Sequence, residues 1–281
     1  MTAEPRPLTE TAYAKINLAL HVRERLPGGY HRIETLFAFC EDGDVLVAEP
    51  ADDLGLKIDG PFAEGLSTGD DNLVMRAAAM VRRHASEGRG AAIRLTKNLP
   101  IASGIGGGSA DAAAAIRLLS RLWQVDLDAA AVHDIAAELG ADVPACLGSE
   151  TAVGRGKGDK LEAIELPSVK SAPVLLVNPG VAVPTGPVFQ GWDGEDRGAL
   201  AVEKGTEGWR NDLKPPAIAI APEIGMLLAL LDAQPGAFFV RMSGSGATCF
   251  ALFESVETRT EAMVRVKSAQ PGWWVWESAL R

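Results

Sequence analysis

The chain has 281 residues, 47% of them hydrophobic, so it can bury a substantial core as one large domain or two smaller ones. Its formal net charge of −10 and pI of about 5.0 argue against binding nucleic acid or an anionic membrane through its overall field. We therefore predict no nucleic-acid or membrane partner. An anionic ligand would need a local concentration of positive charge.

Three cysteines, Cys40, Cys146 and Cys249, lie far apart and beside apolar residues. Their odd number and the absence of a metal-ligand spacing predict buried thiols in a reducing compartment. Residues 1–7 contain no positive region followed by an apolar run, and the apolar stretch 217–231 is interrupted by Pro222 and Glu223. The sequence thus predicts neither a signal peptide nor a membrane span, and we expect a cytoplasmic protein.

The first part of the chain is predicted to consist mainly of strands. Residues 12–22 alternate, with apolar side chains on one face and Lys15, Asn17 and His21 on the other. Lys15 and Asn17 therefore point the same way, off the core face. After a turn at Pro27-Gly28-Gly29, the patterns predict strands over 33–40, 44–49 and 54–58, a helix over 72–87 and a strand over 91–99.

The remainder mixes helices and strands. Residues 109–123 predict a strong helix with Ser109 as N-cap and an apolar stripe made by Ala112, Ala115, Ile116, Leu119 and Trp123. A helix over 127–139 should end at Gly140. Beyond it we predict glycine-interrupted strand or loop over 151–166, strands over 173–177, 238–242, 248–253 and 273–276, a polar segment over 191–208, and helices over 222–233 and 257–268. This irregular order predicts an α+β fold, with a soft boundary over 167–172 that divides domains 1–166 and 167–281.

A glycine-rich run, Pro100 to Ser109, links a predicted strand to a predicted helix. Glycines let a backbone approach a ligand closely, and the free N–H groups at a helix start favour an anion such as phosphate. The run is not a P-loop, because Ser109-Ala110 follows Gly108 where Gly-Lys-Ser/Thr is required. It is not the dinucleotide fingerprint either, since counting from Gly104 places Ser109 at the last glycine. A phosphate site is predicted, with a plain flexible loop as the alternative.

The run resembles the second motif of the GHMP kinases (galactokinase, homoserine, mevalonate and phosphomevalonate kinases). The matching residues are Pro100, Gly104, Ile105 and Ser109, with one additional glycine and with Ala110 where many members have a second serine. A strand with Lys15 and Asn17 near the start and the segment 243–247 (SGSGA) resemble two further motifs of the family. The resemblance implies a two-domain GHMP kinase fold with the active site in the cleft between the domains, and ATP with Mg²⁺ as the phosphate donor.

Further segments resemble one branch of that family, in order: 14–18 (AKINL), 29–31 (GYH), 71–74 (DNLV), 140–144 (GADVP) and 184–189 (PTGPVF). In that branch the acceptor is 2-C-methyl-D-erythritol carrying a cytidine diphosphate, phosphorylated at its 2-hydroxyl on the non-mevalonate route to isoprenoid precursors. The resemblance implies that Tyr30 and Phe189 sandwich the cytosine, that His31 hydrogen-bonds it, and that Thr185 lies in the substrate site. A turn aromatic, a core anchor and an ordinary histidine are the alternative interpretations.

The same resemblance suggests how the reaction proceeds. Asp142 is the candidate general base, with Lys15 keeping its carboxylate ionised and Asn17 orienting Lys15 or a substrate oxygen. A helix cap at Asp142 and a solvated strand lysine at Lys15 are the alternatives. Lys97 would supply local positive charge on an acidic protein. The full predicted ATP-binding set is Asn72, Lys97, Pro100, Gly104, Gly106, Gly107, Gly108, Ser109 and Ala110. No carboxylate cluster that could bind magnesium by itself is evident.

Three other functions remain open at the level of sequence. The chain could be another GHMP kinase that acts on mevalonate, homoserine or a sugar. It could be a non-catalytic sensor built on the same fold, although Lys15 and Asp142 argue against this. A free-standing anion-binding module would need neither Asp142 nor the Tyr30-His31 pair. The enzyme is expected to be a monomer or a homodimer.

Overall fold

The computed structural model of the chain describes residues 6–86 and 89–281. It divides into two compact units. Of the described residues, the first unit contains 6–14, 42–86, 89–101 and 107–148, and the second contains 15–41, 102–106 and 149–281. The long strands β1 (Leu8–Arg25) and β2 (His31–Ala51) contribute residues to both.

The first unit packs helices onto a sheet. Residues 45–51 of β2 pair antiparallel with β4 (Gly90–Thr96), and β3 (Leu54–Asp59) pairs parallel with the other edge of β4. The helices are α1 (Leu73–Arg82), α2 (Gly107–Trp123), α3 (Ala129–Leu139) and α4 (Val143–Gly148). All five residues of the predicted stripe on α2 are buried, so the apolar pattern is confirmed.

The second unit contains a hairpin and a separate four-stranded sheet. Residues 33–37 of β2 pair with β5 (Ala152–Gly156), which pairs with β6 (Lys160–Ala163). The separate sheet has the order β10-β7-β9-β8, with β7 at Pro173–Asn178, β8 at Ala237–Met242, β9 at Cys249–Phe253 and β10 at Trp274–Ala279. The helices are α5 (Thr185–Gln190), α6 (Lys214–Ile220), α7 (Glu223–Asp232) and α8 (Val256–Ala269). Buried residues of α7 and α8, Ile224, Leu227 and Val266 among them, form this unit's core with the sheet.

Strand β2 is continuous, although the sequence predicts two strands, over 33–40 and 44–49, with a break between them. The break was expected at Glu41-Asp42-Gly43, which has the composition of a turn. A Cβ on Gly43 would lie only 1.9 Å from the carbonyl oxygen of Ala12. Gly43 is therefore needed because the backbone of β1 passes so close, and the chain stays extended there.

The helices also differ from their predictions in their bounds and in their number. The helix predicted over 109–123 begins at Gly107, so Ser109 lies inside its first turn and is not the N-cap. The helix predicted over 72–87 ends at Arg82, and its predicted last residue, Glu87, lies outside the described residues. Asp128 caps α3 by accepting from the Ala131 amide at 2.8 Å. The short helices α4, α5 and α6 were not predicted, since none spans enough residues to show a helical period.

None of the helices in the described ranges 6–86 and 89–281 is long and apolar enough to cross a membrane. The three cysteines are buried thiols outside any disulfide, as the sequence predicts. The two compact units are defined by contacts within the chain, whereas the predicted division into 1–166 and 167–281 refers to the two domains of the family. That division stays a prediction.

Candidate active site

A buried polar network surrounds Lys15 in the second unit. The ammonium donates to Asn17 Oδ1 at 3.1 Å and lies 4.7 Å from the centroid of the Phe37 ring. Asn17 Nδ2 donates to Thr35 Oγ1 at 2.7 Å, and the Thr35 hydroxyl donates to the Ala19 carbonyl oxygen at 2.7 Å. Lys15 and Asn17 are each 3% exposed. The alternative of a solvated strand lysine is therefore wrong, and both faces of β1 are buried here, not one.

Two glycines of the glycine-rich run pack tightly within the second unit. The Lys15 amide donates to the Ile105 carbonyl oxygen at 3.1 Å, which holds the loop against β1. A Cβ on Gly106 would lie 2.9 Å from Lys15 Cε, and one on Gly104 would lie 2.5 Å from the Ser243 carbonyl oxygen. Both glycines also have positive φ, at 67° and 80°. Their observed role is close packing, and their part in ATP binding stays a prediction.

Ser243 connects that loop to β1. Its hydroxyl accepts from the Asn17 amide at 3.1 Å and donates to the Gly104 carbonyl oxygen at 2.8 Å. The Gly246 amide donates to the Ser243 carbonyl oxygen at 3.0 Å, so residues 243–246 form a tight turn. One hydroxyl therefore ties together three segments that are remote in sequence.

Two residues of this network carried no signal in the sequence. Thr35 supports Asn17, and Asn211 Nδ2 donates to the carbonyl oxygens of Met242 and Gly244 at 2.8 and 2.9 Å. Each is a single polar residue in a segment with no motif. Only the alternation along β2, which places Thr35 among apolar neighbours, could have indicated a buried hydroxyl.

An aromatic cluster forms around His31 at the start of β2. Its ring centroid lies 5.1 Å from that of Phe189 and 5.8 Å from that of Trp192, the latter at an interplanar angle of 83°. His31 is 8% exposed, and its Nε2 atom is buried without a hydrogen-bond partner. Burial lowers the pKa of His31, and the positive charge of Arg25 lowers it further. The imidazole is therefore neutral at pH 7, with one ring nitrogen unused.

The other two predicted substrate residues are exposed. Tyr30 is 57% exposed, and the Lys157 ammonium lies 3.8 Å from its ring centroid, a cation–π contact. Thr185, at the start of α5, shares a hydrogen bond of 3.0 Å with the Ser245 hydroxyl. All four predicted substrate aromatics and hydroxyls (Tyr30, His31, Thr185 and Phe189) thus belong to the second unit, with Lys15 and Asn17.

In the first unit, Lys97 lies buried beside the start of α2. Its ammonium donates to Asp44 Oδ2 and, at 2.7 Å, to Asp111 Oδ2, and a Cβ on Gly107 would lie 3.1 Å from it. Asp44 Oδ1 also accepts from the amides of Asn98 and Leu99 at 2.5 and 2.9 Å. Two carboxyl groups thus engage the Lys97 ammonium, which was predicted to supply local positive charge; its part in ATP binding stays a prediction.

The ionisation of this trio follows from its burial. Burial raises the pKa of Asp111 to about 8; the Lys97 ammonium opposes that rise and the Asp44 carboxylate adds to it. Burial alone would lower the pKa of Lys97, but the carboxyl groups of Asp111 and Asp44 outweigh it and raise the pKa. At pH 7 Lys97 is thus charged and Asp111 is mostly protonated, so the trio is close to neutral.

The remaining predicted ATP residues lie at helix starts of the first unit. Gly107, Gly108 and Ser109 form the first turn of α2, whose N–H groups suit an anion, while Ala110 is buried. Asn72 caps α1: its Oδ1 accepts from the Val74 amide at 2.8 Å and its Nδ2 donates to the Ser67 carbonyl oxygen at 2.7 Å.

Pro100 and the candidate base Asp142 also belong to the first unit. Pro100 is buried between the end of β4 and the glycines. Asp142 is half-buried, directly before α4, and its carbonyl oxygen accepts from the Cys146 amide at 3.2 Å. The backbone of Asp142 thus has the position expected from the alternative interpretation, a helix cap. Its catalytic role stays a prediction.

Among the residues that the structure describes, no group of three or more histidine, cysteine, aspartate and glutamate side chains could hold a metal ion. Lys97 engages two carboxyl groups beside the start of α2, those of Asp44 and Asp111.

Comparison with known proteins agrees with this architecture. Residues 72–150 match the GHMP kinase N-terminal domain and residues 199–270 match the GHMP kinase C-terminal domain. The chain therefore belongs to the GHMP kinase family and is a small-molecule kinase, and its fold is α+β as predicted.

Its relatives point to one branch of that family. The chain is 54% identical over 279 residues to the 4-diphosphocytidyl-2-C-methyl-D-erythritol kinase of Rhizorhabdus wittichii, covering 97% of this chain and 94% of that protein. It is 50% identical to the protein of the same name from Sphingopyxis alaskensis, covering 98% and 99%.

The solved structures agree. The crystal structure of a 4-(cytidine 5'-diphospho)-2C-methyl-D-erythritol kinase superposes with a TM-score of 0.84 at 34% identity, covering 97% of this chain and 99% of that one. A homoserine kinase from Cytophaga hutchinsonii, at 19% identity and a TM-score of 0.69, shares the fold; it covers 100% of this chain and 96% of that one.

Proposed function

We propose that this chain transfers the γ-phosphoryl group of ATP to the 2-hydroxyl of 4-diphosphocytidyl-2-C-methyl-D-erythritol. The names of its relatives at 54% and 50% identity suggest the acceptor. The structural observation that carries the proposal is His31, a buried neutral imidazole beside Phe189 with an unpartnered ring nitrogen. A pyrimidine has a flat face to stack on and a polar edge to hydrogen-bond, which suits this arrangement.

The chemistry is assigned to Asp142 and Lys15. Asp142 accepts the proton of the acceptor hydroxyl. The hydroxyl oxygen bonds to the γ-phosphorus, and the bond between the γ-phosphorus and the ADP oxygen breaks. Lys15 supplies positive charge, and its hydrogen bond to Asn17 fixes the ammonium. A buried, preorganised charge of this kind stabilises a transition state without reorganising during the reaction.

The donor is assigned to the first turn of α2. The N–H groups of Gly107, Gly108 and Ser109 bind phosphate oxygens, and Mg²⁺ enters as part of the MgATP substrate and neutralises charge between the β- and γ-phosphates. Lys97 holds this turn in place through its contacts with Asp44 and Asp111.

The residues proposed to bind the cytosine of the acceptor belong to the second unit. Tyr30 and Phe189 stack on the cytosine at about 1–3 kcal/mol per aromatic contact. His31 hydrogen-bonds its edge, and Thr185 lies in the same site. A cytoplasmic location, a monomeric or homodimeric state and the division into domains 1–166 and 167–281 also stay predictions.

The decisive test is an ATP turnover assay with 4-diphosphocytidyl-2-C-methyl-D-erythritol, run beside 2-C-methyl-D-erythritol without the cytidine diphosphate. We expect turnover on the first acceptor and a loss of kcat/KM by several orders of magnitude on the second. Mevalonate and homoserine serve as further acceptors. Strong activity on any acceptor that lacks cytidine would contradict the proposal, and ATP binding without any transfer would indicate a sensor.

A further inference from the structure

Arg25, the last residue of β1, holds the segment that follows α5. Its Nη2 atom donates to the carbonyl oxygen of Trp192 and, at 3.3 Å, to that of Gln190. Its guanidinium carbon lies 5.6 Å from the centroid of the Trp192 ring. A cation at the end of a helix satisfies carbonyl groups that lack a partner within the helix. Arg25 thus fixes the backbone on the carboxyl side of Phe189.

Trp192 contacts His31 and Phe189, two of the residues predicted to bind the cytosine. Its buried ring, 3% exposed, packs edge-on against His31. Its amide donates to the Phe189 carbonyl oxygen at 3.2 Å. A movement of Trp192 would therefore displace the imidazole through the ring and Phe189 through the backbone.

We infer that Arg25 and Trp192 are positioning residues for the base of the acceptor. They hold His31 and Phe189 in the arrangement that the pyrimidine of a nucleoside diphosphate requires, and so set the affinity for that part of the substrate without touching it. The inference rests on the proposed function, because it assigns His31 and Phe189 to the base.

The second unit contains a matched pair for comparison. Arg241 Nε donates to the Trp209 carbonyl oxygen at 2.9 Å, and the buried Trp209 ring packs edge-on against Phe239, at 5.6 Å and 89°. This pair repeats the arginine-to-tryptophan arrangement, but its aromatic neighbour is a phenylalanine outside the predicted base site. It therefore reports what the arrangement contributes to folding alone.

The test is calorimetric titration of the full chain with CDP, combined with steady-state kinetics. We expect Trp192→Leu to weaken CDP binding about three- to tenfold, the range of one lost edge-on aromatic contact. The KM for the acceptor should rise by the same factor. The values of kcat and of the KM for ATP should change by less than about twofold, which is smaller than the smallest change expected in CDP affinity. Trp192→Phe should restore most of the CDP affinity, and Arg25→Met should resemble Trp192→Leu.

Trp209→Leu and Arg241→Met are the controls, and should lower the melting temperature without changing CDP affinity. Unchanged CDP affinity in Trp192→Leu, or an equal loss in Trp209→Leu, would overturn the inference while leaving the proposed function intact. Failure of the unsubstituted chain to bind CDP would overturn both. If Trp192→Leu does not fold, Arg25→Met decides the question, because Arg25 is exposed and its replacement leaves the Trp192 ring in place. Unchanged CDP affinity in Arg25→Met would then overturn the inference.

Discussion

The ammonium of Lys97 lies 2.7 Å from Asp111 Oδ2, with both side chains buried in the first unit. Lys97 directly follows β4, and Asp111 lies in the second turn of α2. The contact therefore joins a residue on the N-terminal side of the glycine-rich run to one on its C-terminal side, both in the first unit. Lys97 acts here as a structural link that holds the first turn of α2 in place.

Replacing Lys97 should mainly destabilise the fold. Lys97→Met leaves the Asp44 carboxylate buried without its counter-charge, and we expect a loss of about 3–5 kcal/mol in the free energy of unfolding. Urea unfolding measures it, with Lys57→Met, an exposed lysine on β3, as the control. Unchanged stability together with a raised KM for ATP would show that Lys97 binds ATP directly.

Asp111 should make stability fall as the pH rises. Burial raises the pKa of Asp111 from 3.8 to about 8, so between those values the folded chain binds a proton that the unfolded chain releases. The contribution of Asp111 is thus complete below pH 4 and is lost on rising to about pH 8. Asn resembles the protonated acid, so the stability of Asp111→Asn relative to the unsubstituted chain should increase over that window.

The check is urea unfolding of both proteins at intervals from pH 5 to pH 8. Asp128→Asn, at the exposed cap of α3, is the control, because its carboxylate is not buried. If the free energy of unfolding of Asp111→Asn falls relative to that of the unsubstituted chain as the pH rises, Asp111 is instead ionised and stabilised by Lys97.

Much of the fold follows from local patterns. The stripe on α2 is confirmed, and the segment around Lys15 is a strand as predicted, although both of its faces are buried. The break expected at Gly43 did not occur, since that glycine serves a contact with Ala12, which is distant in sequence. Local composition cannot distinguish a glycine that turns the chain from one that admits a neighbouring strand.

The site was predictable only where residues fall in motifs. Lys15, Asn17 and the segment 243–246 do so, and the structure brings them into one network. Thr35 and Trp192 complete their clusters through tertiary packing, which leaves no spacing to detect. Lys97 was predicted to supply local positive charge, and the sequence does not show that Asp44 and Asp111 fold against it.

Asp142→Asn should separate catalysis from folding. Asn caps helices about as well as Asp does, so the start of α4 and the unfolding free energy should change little. Loss of the general base should lower kcat by about 10²–10⁴-fold. The KM values for ATP and the acceptor should stay close to normal, and Asp134→Asn, on α3, serves as the control. Near-normal turnover would remove Asp142 from the mechanism.

Gly106→Ala tests whether the glycine-rich loop positions Lys15. The added Cβ would lie 2.9 Å from Lys15 Cε at a φ of 67°, so the lysine side chain has to move. The backbone strain is worth only about 1–2 kcal/mol, so the chain should still fold. Displacing a catalytic ammonium should lower kcat about 10- to 100-fold.

Gly272→Ala is the matched control, because a Cβ there meets no atom within 4 Å and its φ is not positive. Turnover and urea unfolding of the two variants separate catalytic from general effects. If Gly106→Ala keeps full turnover, Lys15 tolerates displacement and the contact between the loop and the lysine has no catalytic role. If it loses turnover while retaining stability, the glycine is required because Lys15 occupies the space that a side chain would fill.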